Sequence, residues 1–460
     1  MQLTRTIASG WKLVTAVVLC AFGPLTMPLD ARADGSVAKR WVDQAFGAVR
    51  TGSPAIHTGT PGAARVYAMV GGAMYDAVNG IDRALGASQL KPWLVSSDGA
   101  PVGGNREHAA AAAAHAVLVA LFSTNAVVVG NADSTLTPDC PLPITDSSEA
   151  GCRWGSAVGA AVVAARSNDG TQILLSQAGG SGAGVFPRTF SNAQFKDMAP
   201  FGVASVAPYT SSGPPALSSG EYAASFNEVK ELGNALDPDA ERTAIMKQWQ
   251  AEANTIRETG LWLKAALNIV DNQGTVSSLS DTVRLFALLG IAVADAVATS
   301  WADKYGFHYW RPGDAIRQAD IDGNDATELD TSWNPRGGAP CAPDAPLATC
   351  SGFSGTPEHT SGSATFAGAA STVLEGFYCR NDIAFAFAGE QPGAMSRSYT
   401  SFKGAAAEAG RSRIYGGIHF QFSVEKGYEA GKDIAREILR TRLTPEGSKC
   451  RGNTCACLPR

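Results

Sequence analysis

Apolar residues return at intervals of three and four along most of this 460-residue chain, and stretches that alternate apolar with polar are few. That pattern predicts helices packed on helices, an all-α fold. The clearest segments are Ala63 to Asp82, Arg106 to Phe122, Gly155 to Arg166, Ala240 to Ile269, Leu279 to Asp303, Ser363 to Phe377 and Gly427 to Thr441. Many are rich in Ala and Gly, which lets neighbouring helices approach closely. Gly179 to Gly184 and Ser211 to Gly220 carry Gly, Ser and Pro clusters without periodicity and read as loops. Neither is a phosphate loop, which needs Gly-Lys-Ser/Thr immediately before a helix. The second loop predicts a division into an N-terminal helical half, 34–215, and a C-terminal half, 216–460, packed together rather than independent.

The first residues have the chemistry of an export signal. Arg5 and Lys12 precede an apolar run from Leu13 to Phe22, and Ala31-Arg32-Ala33 offers a small-residue cleavage site, so 1–33 reads as a signal peptide. The apolar run is about half the roughly 20 residues a membrane span needs. Leu19 is too bulky for the residue before a lipidated Cys20. The mature chain is therefore expected to be exported, periplasmic or secreted, with no membrane span. Loss of Cys20 leaves an even number of cysteines, which suits disulfides in an oxidising compartment. Cys140 with Cys152 and Cys341 with Cys350 are close in sequence, in loop-like stretches, and Cys379 is left for one of Cys450, Cys455 and Cys457. A net charge of -5 argues against nucleic acid or an anionic membrane as the main partner. The expected ligand is small.

Three stretches near the C-terminus concentrate cations and imidazoles. KYGFHYWRP (Lys304 to Pro312) carries Lys304 and Arg311; PEHTSGSAT (Pro357 to Thr365) carries Ser361 and Gly362; SRIYGGIH (Ser412 to His419) carries Arg413 and His419. Together they supply three cations, one imidazole, a hydroxyl and a glycine N–H at a loop-to-helix entry, a donor set for a tetrahedral oxyanion. If the first stretch is helical, positions 304, 308 and 311 share one face, which places His308 beside both cations, and Pro312 marks a boundary. Asp295, nine residues before Lys304, is expected to orient an arginine or bridge helices. His57, His108 and His115 read as packing residues. Asp320 to Asp325 has the oxygen spacing of a calcium loop at three positions, but Asp325 stands where the turn needs Gly, so a solvated turn is the better reading. Cys455-Ala456-Cys457 does not match zinc spacing.

In order and spacing the three stretches resemble the vanadium-dependent haloperoxidase and type 2 phosphatidic acid phosphatase superfamily. Its pattern is Lys, six residues, Arg-Pro; then Pro-Ser-Gly-His; then Ser-Arg, five residues, His. The run LFALLGIAVADAVATSWADKYGFHYWRPGDAIRQAD is similar to bacterial secreted members of the haloperoxidase branch, and RVYAMVGGAMYDAVNGID to their first core helix. The resemblance implies two four-helix bundles with the anion site in the core of one. It implies vanadate caged by Lys304, Arg311, Ser361, Gly362 and Arg413 and ligated by His419, with hydrogen peroxide and a halide as substrates. In the phosphatase branch phosphate occupies the same cage, and His419 attacks a phosphate ester.

The middle stretch departs from the pattern twice: Thr360 stands for the proline and Ser363 for the histidine, the family's acid-base residue. His359 and His308 are the histidines near enough to replace it. Ser363 can donate a hydrogen bond but is a poor proton shuttle. Three readings stay open: a haloperoxidase, a secreted acid phosphatase with a phosphohistidine intermediate, and an oxyanion-binding homologue with impaired catalysis.

Overall fold

A computed structural model describes residues 35–273 and 278–447. The expected signal peptide and Cys450, Cys455 and Cys457 lie outside these residues. In chain order the described α-helices are α1 (Ser36–Arg50), α2 (Ala55–Thr58), α3 (Thr60–Ala84), α4 (Arg106–Leu121), α5 (Ala126–Leu136), α6 (Ala150–Ala165), α7 (Gly220–Leu232), α8 (Ala240–Trp249), α9 (Arg257–Gln273), α10 (Leu279–Phe307), α11 (Pro312–Ile316), α12 (Gly362–Tyr378), α13 (Phe402–Tyr415) and α14 (Gln421–Thr441). Strand structure is confined to two small antiparallel pairs, Ser176–Gln177 with Phe190–Ser191 and Phe385–Ala388 with Ser396–Tyr399. The protein is an all-α, helical-bundle protein.

Two groups of helices share one core. α1, α3, α4 and α6 pack together, as do α10, α12, α13 and α14, and the two groups meet along α3 and α10. Small residues make that meeting close: a Cβ on Gly71 of α3 would lie 2.9 Å from the Phe286 carbonyl oxygen of α10. Between α12 and α14 the approach is tighter still, since a Cβ on Gly431 would overlap the Thr365 carbonyl oxygen. α10 is long and apolar enough to cross a membrane by length and composition, but 94% of its most apolar window is buried inside the protein. It is the central helix of the core.

Each central helix uses a buried carboxylate to fix a run of three loop N–H groups. Asp76 of α3 accepts the backbone N–H groups of Trp93, Leu94 and Val95 at 2.7 to 2.9 Å. Asp295 of α10 accepts those of Phe201, Gly202 and Val203 at 2.5 to 2.8 Å. Asp295 therefore does not orient an arginine of the anion site; it satisfies three N–H groups that burial would otherwise leave unpaired.

Two expectations about helices fail for local reasons. The segment from Ala240 to Ile269 is two helices, because the chain leaves helical geometry at Gln250 and takes positive φ at Asn254 (63°) and Arg257 (61°). Apolar spacing continues through this break, so periodicity does not reveal it. Similarly, the helix carrying Lys304 does not reach Arg311. It stops at Phe307 with His308 as a left-handed C-cap (φ 51°), and the chain runs extended to Pro312, which opens α11. The extended stretch pairs with the Gly-rich loop: Phe186 N–H donates to the His308 carbonyl and Trp310 N–H to that of Gly184.

Both local disulfides form, Cys140–Cys152 and Cys341–Cys350. Asp322 caps a turn, accepting from Asn324 N–H (2.8 Å) and Thr327 Oγ1 (2.8 Å).

Candidate active site

The end of α10, the first turn of α12, the end of α13 and the loop before α14 converge on a cavity of about 760 Å³. Lys304, Arg311, Gly362, Ser363, Arg413 and His419 all line it. Groups up to 115 residues apart in sequence thus meet because four elements end at one place.

Two of the three cations, Lys304 and Arg311, are held chiefly by carbonyls, which carry no counter-charge. Lys304 Nζ donates to the carbonyls of Pro357 (2.8 Å) and Glu358 (3.0 Å). Arg311 donates to the Thr356 carbonyl (2.7 Å), the Ile418 carbonyl (2.6 Å) and Thr356 Oγ1 (3.0 Å), so its planar fork ties two loops together. Arg413 Nε bonds Ser412 Oγ at 3.0 Å, while its Nη2 is buried with no partner among the described residues. Burial, and then the neighbouring Arg311, lowers the pKa of Lys304 well below its ordinary value. Burial brings Arg311 down to about 10 and also lowers Arg413. A bound anion would reverse these shifts by supplying the missing counter-charge.

The state of His419 follows from its two neighbours. Arg311 Nη1 lies 3.0 Å from Nε2, and a guanidinium only donates, so Nε2 is the acceptor and Nδ1 carries the proton. Nδ1–H donates to Glu358 Oε1 at 2.8 Å, and the same oxygen accepts Phe420 N–H at 3.0 Å. Burial and then Arg311, Lys304 and Arg413 hold the imidazole pKa well below 6.5. A neutral ring with an unprotonated Nε2, here accepting from Arg311, is the form a metal ligand or a nucleophile needs once that hydrogen bond is exchanged for the ligand. Burial pushes the Glu358 carboxyl up to about 7 against the pull of Arg311 and Lys304.

Ser361 is the N-cap residue of α12, one step back from the cavity wall; its Oγ is buried with no partner among the described residues. Gly362 and Ser363 form the wall itself, in a first turn whose N–H groups lack intrahelical acceptors. Ser363 Oγ is 3.5 Å from Arg413 Nη1, a contact at the long limit. Thr360, the other departure from the motif, donates from Oγ1 to Asp303 Oδ2 at 3.1 Å and so pins the loop to α10.

Neither candidate replacement histidine reaches the cavity. His308 turns away at the C-cap, its ring edge-on to Phe190 at 4.8 Å, because the helix that was to align it with Lys304 ends first. His359 is fully buried between Phe307 and Phe422, with Nε2 2.8 Å from Ser211 Oγ. Burial drives its pKa down to about 3.

Sequence reasoning missed the carboxylates. Glu358 stands inside a quoted motif, and an acid in a stretch that must bury itself beside cations was a usable signal. Glu252, in the break between α8 and α9 that apolar periodicity bridged over, and Glu258, in the first turn of α9, line the cavity.

Residues 284–444 match the model of the VCPO second helical-bundle domain. That stretch of the C-terminal half is similar to the second helical-bundle domain of the vanadium haloperoxidases. Among solved structures, a bacterial vanadium-dependent iodoperoxidase superposes with a TM-score of 0.66 at 21% identity, covering 89% of this chain and 96% of its own. Apo and holo forms of a bacterial vanadium-dependent chloroperoxidase each superpose at 0.61 with 16% identity. The apo form matches over 82% of this chain and 92% of its own, the holo form over 84% and 93%. These likenesses extend the shared fold to nearly the whole described chain. No curated protein matches the sequence.

Proposed function

We propose that this protein is a vanadium-dependent haloperoxidase-like enzyme that oxidises a halide with hydrogen peroxide. The observation that carries the reading is His419: neutral, with Nδ1–H held by Glu358 and Nε2 unprotonated beside Arg311, in the wall of a cavity shared with Lys304, Arg311 and Arg413. The residues fit a tetrahedral oxyanion. The partnerless Arg413 Nη2 and the first-turn N–H groups of Gly362 and Ser363 would donate to its oxygens, and His419 Nε2 would serve as its nitrogen ligand. Vanadate, when bound, would supply Lewis acidity that activates peroxide toward halide. The chain's own part would be to hold the anion's oxygens through Lys304, Arg311, Arg413 and the first-turn N–H groups of α12, and to keep His419 in one tautomer.

A second reading, a periplasmic or secreted acid phosphatase, is favoured by the same His419 lone pair, which is equally placed for attack on phosphorus. One experiment separates them. The mature protein, freed of oxyanions, is incubated with orthovanadate and assayed for bromide and iodide oxidation by hydrogen peroxide, beside phosphate release from a phosphate ester. Vanadate-dependent halide oxidation supports the haloperoxidase; phosphate release inhibited by vanadate supports the phosphatase. Oxyanion binding with neither activity marks an impaired homologue, and failure to bind vanadate removes the proposal.

A further inference from the structure

The cavity has an acid-base problem: Ser363 stands where the superfamily pattern has a histidine, and His308 and His359 both point elsewhere. It also has a carboxyl group that the cage does not use. Glu258, in the first turn of α9, lines the same cavity as Ser363, Arg413 and His419. Thr60 Oγ1 at the start of α3 donates to Glu258 Oε2 at 3.2 Å. Three charged groups act on it: Arg413 from α13, Glu252 from the loop before α9, and the adjacent Arg257. Arg413 is the strongest of them, and Glu258 is in turn the charge that acts most strongly on Arg413. The carboxyl and this cation line one cavity; Arg413 Nη1 meets Ser363 and its Nη2 has no partner among the described residues.

We propose that Glu258 is the catalytic acid-base residue of this site, replacing the histidine that Ser363 displaces; the proposal rests on the oxyanion reading above. Hydrogen peroxide entering the cage gives one proton to the Glu258 carboxylate. The halide attacks one peroxide oxygen and is oxidised to hypohalite as the O–O bond breaks; the hydroxide released takes that proton and leaves as water, and the carboxylate is regenerated. In a phosphatase the same group would protonate the leaving alcohol oxygen. Burial raises the Glu258 pKa, and Arg413 opposes the rise, which places the group closer to the working range than an exposed glutamate.

The test uses the mature chain and three variants: Glu258→Gln, Glu258→Asp and the double variant Glu258→Gln/Ser363→His. Calorimetry of inorganic phosphate and orthovanadate binding, in buffers of different ionisation enthalpy, counts protons taken up, because a nearby anion raises a carboxyl pKa. Wild type is expected to take up a fraction of a proton between pH 5 and 7 that Glu258→Gln does not. Peroxide-dependent bromide oxidation should fall by about 10²–10⁴-fold in Glu258→Gln and lose its acid limb. Glu258→Asp or the added histidine should restore it at least partly, which a merely structural defect would not allow. The proposal is overturned if Glu258→Gln keeps the wild-type rate and proton uptake, or if its rate falls only in step with anion affinity, which would make Glu258 a positioning residue for Arg413. Oxyanion binding without oxidation still leaves proton uptake to decide. A wild-type protein that binds neither anion removes the underlying reading, and the proposal with it.

Discussion

Arg311→Lys separates the shape of the cage from its charge. The substitution keeps one positive charge but removes the planar fork that bonds the Thr356 and Ile418 carbonyls, Thr356 Oγ1 and His419 Nε2. A hydrogen bond with a charged partner contributes about 1.5–3 kcal/mol. The two carbonyl bonds, at 2.7 and 2.6 Å, come from different nitrogens of the fork, so a lysine ammonium reaches at most one of them. The other carbonyl and the Thr356 hydroxyl are left in a buried wall, and the net loss should be about 2–4 kcal/mol of folding stability. Because the charge stays, long-range attraction for an oxyanion is unchanged. Any loss of affinity then reports the lost geometry around His419, and about tenfold is expected for each 1.4 kcal/mol of misplaced donors. Guanidinium unfolding of the anion-free protein and phosphate titration by calorimetry measure both quantities. Stability within 1 kcal/mol of wild type together with unchanged phosphate affinity would refute the claim that the fork holds the two loops in register.

Three further outcomes are expected. His359 titrates near 6.5 when unfolded but at about 3 in the fold. The unfolded chain therefore binds more protons as pH falls below 6.5, and the fold loses up to about 5 kcal/mol by pH 3; His359→Gln should flatten that slope in urea midpoints measured against pH. Asp295→Ala strands the N–H groups of Phe201, Gly202 and Val203 and should cost on the order of 4 kcal/mol, read by chemical unfolding, without changing which anions bind. Replacing Cys341 and Cys350 together by serine frees a loop that supplies Ser351, Gly352 and Thr356 to the cavity wall. A loop this short is worth roughly 2–3 kcal/mol of closure entropy, so the variant should unfold earlier and bind phosphate more weakly, as measured by calorimetry.

The helical core and the cage were legible for different reasons. The core announced itself because packed helices need apolar groups every three or four residues, and α3, α4, α10 and α12 have them. The cage was legible because Lys304, Arg311, Arg413 and His419 are costly groups to bury, and their spacing matched one arrangement that repays the cost. What stayed hidden depends on backbone turns that side-chain periodicity does not encode. A left-handed cap at His308 removed that ring from the face of Lys304, and positive φ at Asn254 and Arg257 swung Glu252 and Glu258 into the wall. Neither residue type announces such a bend.

The contact between α3 and α10 has a practical meaning for anyone wishing to shorten this protein. Residues 284–444 bear the recognisable bundle and every cation of the cage, which invites excision of that piece. Yet α10, with a mean hydropathy of 1.8 over its most apolar window, is buried largely because α3 covers it. Cut free, the fragment would offer most of this apolar helix to the nearest bilayer or to its own copies. It would also lack Thr60 and Glu258, which the discarded portion brings to the cavity. Such a truncation would aggregate or insert into membranes rather than work as a minimal enzyme, and what looks like a detachable module is half of an inseparable pair.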